Sequence, residues 1–485
     1  MTKKNRFIII AGAGLILVLA VIYGVVSFIG NSKNNEDDEN KTNITETQVE
    51  KVFSVNTKDS LYSILLSKGG ETEYLIRRDA TVNSLLIDGL EGHNYSLAFD
   101  SVISSVTGLS ISEKIKDPLS DSEYGLSFED NPYILTVTGT DGKSETVYIG
   151  SNLLTGKGYY CKKEGTDAVF AVGNAANNFL KDKYSLVSTL LEKELDRSKY
   201  HYTENLEVYK NNEMLVHITY VPESTQDKTD AYGYYTMLYP ASGYSVSDVN
   251  YDSMLKMLIS PHADTVITTD LSKENLIKYG FMTEDGVAMP SCEINYTLSG
   301  EKRTLYFGKR TEDGLVYIMS PSTNFIGIAG VESHFPFLNW ELIDYVNPAL
   351  FGMNINHLAK LTIQGHGITD TYTTEGEGKE LIVKNHLGAV VNTQNFRNFY
   401  RVLLMTQMEG YAESTDTDQW MLSFKIEKRD GRVLDYKFYR ISNLKCFYTI
   451  NGKGEFYVSL DDVEKILSDA KKLASGEEIN PDARV

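Results

Sequence analysis

Three segments of this 485-residue chain carry the same apolar stripe at the spacing of one helix face. Phe99, Val102, Ile103 and Val106 stand at i, i+3, i+4 and i+7. Tyr251, Met254, Leu255 and Leu258 do the same, as do Phe396, Phe399, Tyr400 and Leu403. That spacing puts all four side chains on one side of a helix. The stripes begin 152 and 145 positions apart, the size of a domain and far longer than a solenoid unit. Such a chain is expected to be built from copies of one unit, each with its own core.

The flanks recur with the stripes. Strand-like stretches precede each helix: LYSILL and ETEYLIRR, then LVHITYV and GYYTMLY, then LAKLTIQ, TDTYTT and ELIVK. Beyond the helix the first two copies match closely. Tyr124-Gly125 aligns with Tyr279-Gly280, and Tyr148-Ile149-Gly150 with Tyr306-Phe307-Gly308. Between them lie the hairpin signals Asp141-Gly142 and Ser299-Gly300. The third copy keeps a hairpin turn at Asp430-Gly431 but lacks both tyrosine–glycine motifs. A closing helix follows it, with Ser459 and Asp462 as a capping box and Gly476 as its stop. Val463, Ile466, Leu467, Ala470 and Leu473 form its predicted buried face.

The fold class is therefore α+β: three tandem repeats of antiparallel strands with helices packed on one face. An N-terminal membrane helix precedes them. Phe7 to Ile29 is uncharged and long enough to span a bilayer core. Lys3, Lys4 and Arg6 stand before it and an acidic run from Glu36 to Glu39 after it, which places the N-terminus inside. A cleaved signal peptide is the alternative, but Val26-Ser27-Phe28 offers no clean cleavage site. The expected organisation is a cytoplasmic tail at 1–6, the span at 7–29 and a disordered linker at 30–50. Repeats follow at 51–195, 196–347 and 348–476, and a tail at 477–485.

A net charge of −19 gives no basic face for nucleic acid. Three widely spaced cysteines, Cys161, Cys292 and Cys446, suggest neither a disulfide framework nor a metal site. Catalytic and nucleotide-binding motifs are missing, and the scattered histidines form no HxH or HxxxH pair. His366, between Gly365 and Gly367, reads as a strand-to-strand turn, with a catalytic loop as the alternative. Asp416 and Asp418 resemble half of a calcium loop without its glycine and closing glutamate. No catalytic residue, cofactor or metal ligand is assigned. Tyr124, Gly125, Tyr148, Gly150, Tyr279, Gly280, Tyr306 and Gly308 form the candidate repeat motif. Their structural reading is a turn or sheet edge closed by tyrosine, with glycine supplying an unusual backbone angle. Paired aromatic binding surfaces are the alternative.

The pattern resembles the bacterial family called domain of unknown function 4340. The residues that carry the resemblance are Tyr124 to Leu126, the Asp-Gly hairpin, Val147 to Gly150, Gly158-Tyr159-Tyr160 and Ala168 to Val172. It is best in the first repeat and weakest in the third. It implies a single-pass, membrane-anchored extracytoplasmic protein associated with ABC transport systems of the gliding-motility type. It supplies no catalytic residues. The function expected is thus a non-enzymatic accessory or binding component with protein partners in a membrane complex. A module binding envelope polysaccharide and an uncharacterised hydrolase are the alternatives.

Overall fold

The computed structural model describes residues 50–193, 203–220, 235–240 and 243–483. The compact unit that begins at Lys51 holds every element below. The segment 7–29, read above as the membrane span, lies outside the described residues. Among the described residues no helix is long and apolar enough to cross a membrane.

The first repeat contains β1 (Leu61–Lys68), β2 (Glu71–Asp79), β3 (Ser84–Ile87), helix α1 (Leu97–Gly108), β4 (Ile111–Lys114), β5 (Tyr133–Gly139), β6 (Ser144–Asn152), β7 (Gly158–Lys163) and β8 (Val169–Gly173). They form one antiparallel sheet in the order β3-β2-β1-β5-β6-β7-β8-β4. The last strand before α1 and the first strand after it, β3 and β4, thus lie at opposite edges. The connection from β3 to β4 crosses the sheet and lays α1 over its core face. Phe99, Val102, Ile103 and Val106 are all buried there.

The second repeat repeats this order with β9 (Asn205–Lys210), β10 (Glu213–Tyr220), β11 (Tyr235–Tyr239), helix α2 (Asp248–Leu258), β12 (Thr265–Thr268), the extra helix α3 (Lys273–Tyr279), β13 (Cys292–Leu298), β14 (Glu301–Arg310), β15 (Leu315–Met319) and β16 (Ile326–Gly330). The third does so with β17 (Leu358–Gly365), β18 (Ile368–Glu375), β19 (Ile382–Lys384), helix α4 (Thr393–Met405), β20 (Met408–Tyr411), β21 (Trp420–Lys428), β22 (Val433–Arg440), β23 (Lys445–Ile450), β24 (Phe456–Ser459) and the closing helix α5 (Leu460–Ser475). The stripes of α2 and α4 are buried residue for residue as their spacing predicts. The chain is therefore a tandem array of β-rich repeats sharing one topology.

Two local readings change. Three strands precede every helix, as read for the third copy, and the first two copies each hold one strand more than their quoted pair, β3 and β9. The β9 sequence NLEVYK alternates a buried Leu206 and Val208 with polar residues, too short a pattern to stand out. In α5 the Ser459 hydroxyl accepts from the Asp461 N–H, with no reciprocal bond from Asp462. Gly476 ends the helix in the left-handed region as expected. Leu467 is only half-buried, whereas Asp469 is buried, clamped by Lys465 at 2.8 Å and Lys472 at 2.7 Å.

The start of each repeat is marked by the same backbone bond. The chain entering the repeat pairs with the residues that leave its long helix: Val52 N–H to Leu109 O at 3.0 Å, Leu191 N–H to Pro261 O at 2.9 Å, and Leu350 N–H to Thr406 O at 3.0 Å. These short junctions bring neighbouring repeats together. The expected separate cores consequently run into one contiguous cluster of buried apolar side chains, from Val52 to Ile479.

Candidate functional site

The tyrosine–glycine motif proves to be a backbone joint. In the first repeat a helical turn over Asp121–Tyr124 ends at Gly125, whose φ of 65° is left-handed. Leu126 N–H bonds to Asp121 O and Gly125 N–H to Ser122 O, the double closure of a Schellman cap. Helix α3 ends likewise at Gly280, φ 84°, with Phe281 N–H on Leu276 O and Gly280 N–H on Ile277 O. Each cap lies on the outer face of its sheet, over the glycine of the strand motif. A Cβ on Gly150 would sit 2.8 Å from Gly125 O and closer still to Tyr124 O. One on Gly308 would press on Tyr279 O and lie 3.1 Å from Phe281 Cζ. Gly150 and Gly308 are therefore required by close backbone approach.

The tyrosines seal these joints. Tyr124 packs 4.9 Å from Tyr160 and its hydroxyl accepts the Leu119 N–H; Tyr279 packs 4.7 Å from Tyr317. Half-buried Tyr148 and Tyr306 complete two small apolar clusters outside the main core. The eight motif residues thus meet four by four, one set on each sheet. In the third repeat Tyr439 occupies the place of Gly150 and Gly308, where its ring leaves no room for such a cap. It belongs to a cross-strand row, Trp420, Tyr439, Phe447 and Tyr457, on that outer face.

The other candidates are placed as follows. His366 and Gly367 make the turn between β17 and β18, with the imidazole 5.9 Å from Trp420. Asp416 accepts the Asp418 N–H on an exposed loop. Among the described residues no group of three or more His, Cys, Asp or Glu is placed to hold a metal. Cys161 and Cys446 lie on corresponding strands, β7 and β23, and all three cysteines are buried with free thiols.

A cavity of about 520 Å³ with mixed polar and apolar walls lies at the junction of the first two repeats. Its wall includes Asn94, Glu192, Lys193, Glu301, Arg303 and Thr323. Arg303 projects from β14 opposite Tyr296 of β13, and its side chain is 2% exposed. Its Nη2 donates to Lys193 O at 2.7 Å and Glu301 Oε2 at 3.2 Å, while Nε and Nη1 are buried without a partner. The Glu192 carboxylate accepts from Ser320 Oγ. Tyr296 feels both charges: burial raises its pKa above the ordinary phenol value, Glu192 adds to the rise and Arg303 opposes it. Its hydroxyl nonetheless makes no hydrogen bond of proper geometry.

Sequence reasoning missed this set, although a signal exists. The three junction bonds make Glu192 the counterpart of Phe53 and Phe351, each buried. Cross-strand pairing makes Tyr296–Arg303 the counterpart of Val137–Glu145 and Ile426–Leu434. Only in the middle repeat do a glutamate, an arginine and a tyrosine replace mostly apolar partners.

Residues 94–199 match the model of a family described as Domain of unknown function (DUF4340), which agrees with the resemblance read from the first repeat's motifs. No curated protein and no solved structure matches the chain.

Proposed function

We propose that this chain, whose first repeat carries that family's domain, is a membrane-anchored extracytoplasmic protein without catalytic activity of its own. It serves as an accessory or binding component of an ABC-type, gliding-motility-like transport complex. The anchor in this reading is the uncharged run from Phe7 to Ile29. The observation that carries the partner-binding role is apolar exposure on the segments bearing the glycine caps. Phe128 is 84% exposed and Leu119 66%, both between β4 and β5. Val287 and Met289 are exposed on the corresponding segment of the second repeat. Large apolar groups left in water at equivalent places suit burial against a protein partner. Affinity purification from cross-linked membranes tests the reading. An ATPase and a permease should co-purify, and less so with Phe128→Asp and Val287→Asp. Recovery of the chain alone would overturn it.

The aromatic row of the third repeat favours a second reading, contact with envelope polysaccharide. Trp420 and Tyr457 are partly open to solvent, and their flat faces suit stacking on sugar rings. Sedimentation with purified cell wall decides between the two. Pelleting that is lost in Trp420→Ala and Tyr457→Ala supports this second role, and pelleting no greater than a control protein's removes it.

A further inference from the structure

We infer that His262 and His334 form a two-imidazole site for a divalent transition-metal ion of the copper, nickel or zinc type, with water filling the remaining positions. The inference is independent of the transport role proposed above. His262 lies between α2 and β12, and His334 ends the short helical turn Val331–His334 that follows β16. The fold brings these distant segments together, with ring centres 4.7 Å apart and planes at 78°. Bonds of about 2.0–2.1 Å from one ion to two imidazole nitrogens set the ring centres about 4.5–5 Å apart. The observed spacing falls within that span.

Each ring has one nitrogen committed and one left over. His262 Nδ1 faces Ser260 O at 3.1 Å, and His334 Nε2 faces Asp264 Oδ1 at 2.8 Å. A carbonyl and a carboxylate only accept, so these two nitrogens carry the protons. In the neutral rings His262 Nε2 and His334 Nδ1 then hold lone pairs, the form in which imidazole binds a metal. Asp264 is itself fixed, its Oδ2 accepting the Gly330 N–H at 2.8 Å. A carboxylate behind the ring is the usual support of a metal-binding histidine, since it sets the tautomer and makes the ligand more basic. Neither ring is sealed. His262 is exposed, the His334 side chain is 23% exposed, and both border a cavity of about 280 Å³ with Ser260 and Ser333. Lys256 also borders it, from an exposed position.

The other repeats lack the pair. Backbone bridges make His262 the counterpart of Ser110 and Gln407. Counting four residues beyond β8, β16 and β24 makes His334 the counterpart of Asn177 and Val463. The middle repeat alone has an imidazole at both places. Among the described residues no third His, Cys, Asp or Glu completes a metal-holding group with them, so the site is an open one.

Calorimetry on the purified full chain tests this, with Cu²⁺, Ni²⁺ and Zn²⁺ as probes and Ca²⁺ as a hard-cation control. Cu²⁺ should bind saturably at one ion per chain and tighter than Ni²⁺ or Zn²⁺, while Ca²⁺, which takes oxygen ligands, should not compete. Electron paramagnetic resonance of the Cu²⁺ form should show coupling to nitrogen. His262→Gln and His334→Gln should each weaken binding about tenfold or more. The pair His262→Ser with His334→Asn installs the first repeat's residues, and should keep the thermal unfolding profile and lose the ion. Asp264→Asn should weaken binding about 10–100-fold, as loss of such a support does. Ca²⁺ bound as tightly as Cu²⁺, or a Cu²⁺ spectrum without nitrogen coupling, would overturn the imidazole ligands. No saturable Cu²⁺ uptake, or uptake unchanged in both single variants, would overturn the site.

Discussion

Replacing Gly150 by alanine tests the backbone joint most directly. The added methyl would lie 2.8 Å from Gly125 O and nearer to Tyr124 O. Ordinary carbon–oxygen contacts sit near about 3.3 Å or beyond. Either β6 shifts within its ladder or the cap lifts off the sheet. The first is overpacking, at about 1–3 kcal/mol. The second gives up burial of Tyr124 and Leu126, each worth about 1.5–3 kcal/mol when fully exposed. The chain takes the cheaper route, so the loss should be about 1–3 kcal/mol. Gly173→Ala is the control, because no heavy atom lies within 4 Å of its Cβ position. That change should be neutral or stabilise by about 0.5 kcal/mol, through the unfolded chain. Urea midpoints of the two variants give the comparison. Hydrogen exchange should show the Gly125 and Leu126 amides opening, while β17 to β24 stay protected. Equal midpoints for the two alanine variants would refute the close-approach argument.

Phe396→Ala, at a fully buried site beside Tyr372, should cost about 3–5 kcal/mol by chemical denaturation. Because the cores are contiguous, the loss should lower a single transition; a separate early transition of the third repeat would contradict that. Burial holds the phenols of Tyr251, Tyr345 and Tyr448 well above their ordinary value near 10. The stability they contribute is whole below pH 10 and is lost as pH rises beyond it, since the unfolded chain then binds fewer protons. Thermal midpoints should therefore fall between pH 9 and 11, and a flat profile would count against these burials. Burial also pushes the thiols of Cys292 and Cys446 up to about 12. Maleimide at pH 8 should label native protein far more slowly than urea-unfolded protein, and equal rates would place the thiols at the surface.

The elements governed by short-range pattern were the legible ones. The four-residue stripes of α1, α2 and α4 announce a helix face because helical spacing needs no knowledge of the partner. Ser299 and Gly300 both take positive φ in the β13–β14 turn, and that dipeptide is readable on sight. Gly125 and Gly280 carry the unusual backbone angle that the motif suggested. Gly150 and Gly308 do not, because their requirement comes from a carbonyl more than twenty residues away in sequence. The crossing of β4 to the far edge has no local signature either. The cavity was illegible for a related reason. Glu192 and Arg303 are unremarkable singly, and stand out only when the junction bonds set Glu192 against Phe351 and strand pairing sets Arg303 against Leu434.

The shared strand order also fixes a timetable. As the chain emerges from its N-terminal side, β1, β2 and β3 can pair at once, and β5 to β8 add in sequence. β4 cannot: its sheet neighbour among the described residues, β8, begins at Val169, well after Ile111. The same delay holds for β12 waiting on β16 and β20 waiting on β24. In each repeat one edge stays open until nearly the whole unit has appeared, with its helix laid over an unfinished sheet. The late-arriving strand closes the structure in a single event, so nascent chains stopped before β8, β16 or β24 should be the ones that proteases cut and chaperones hold.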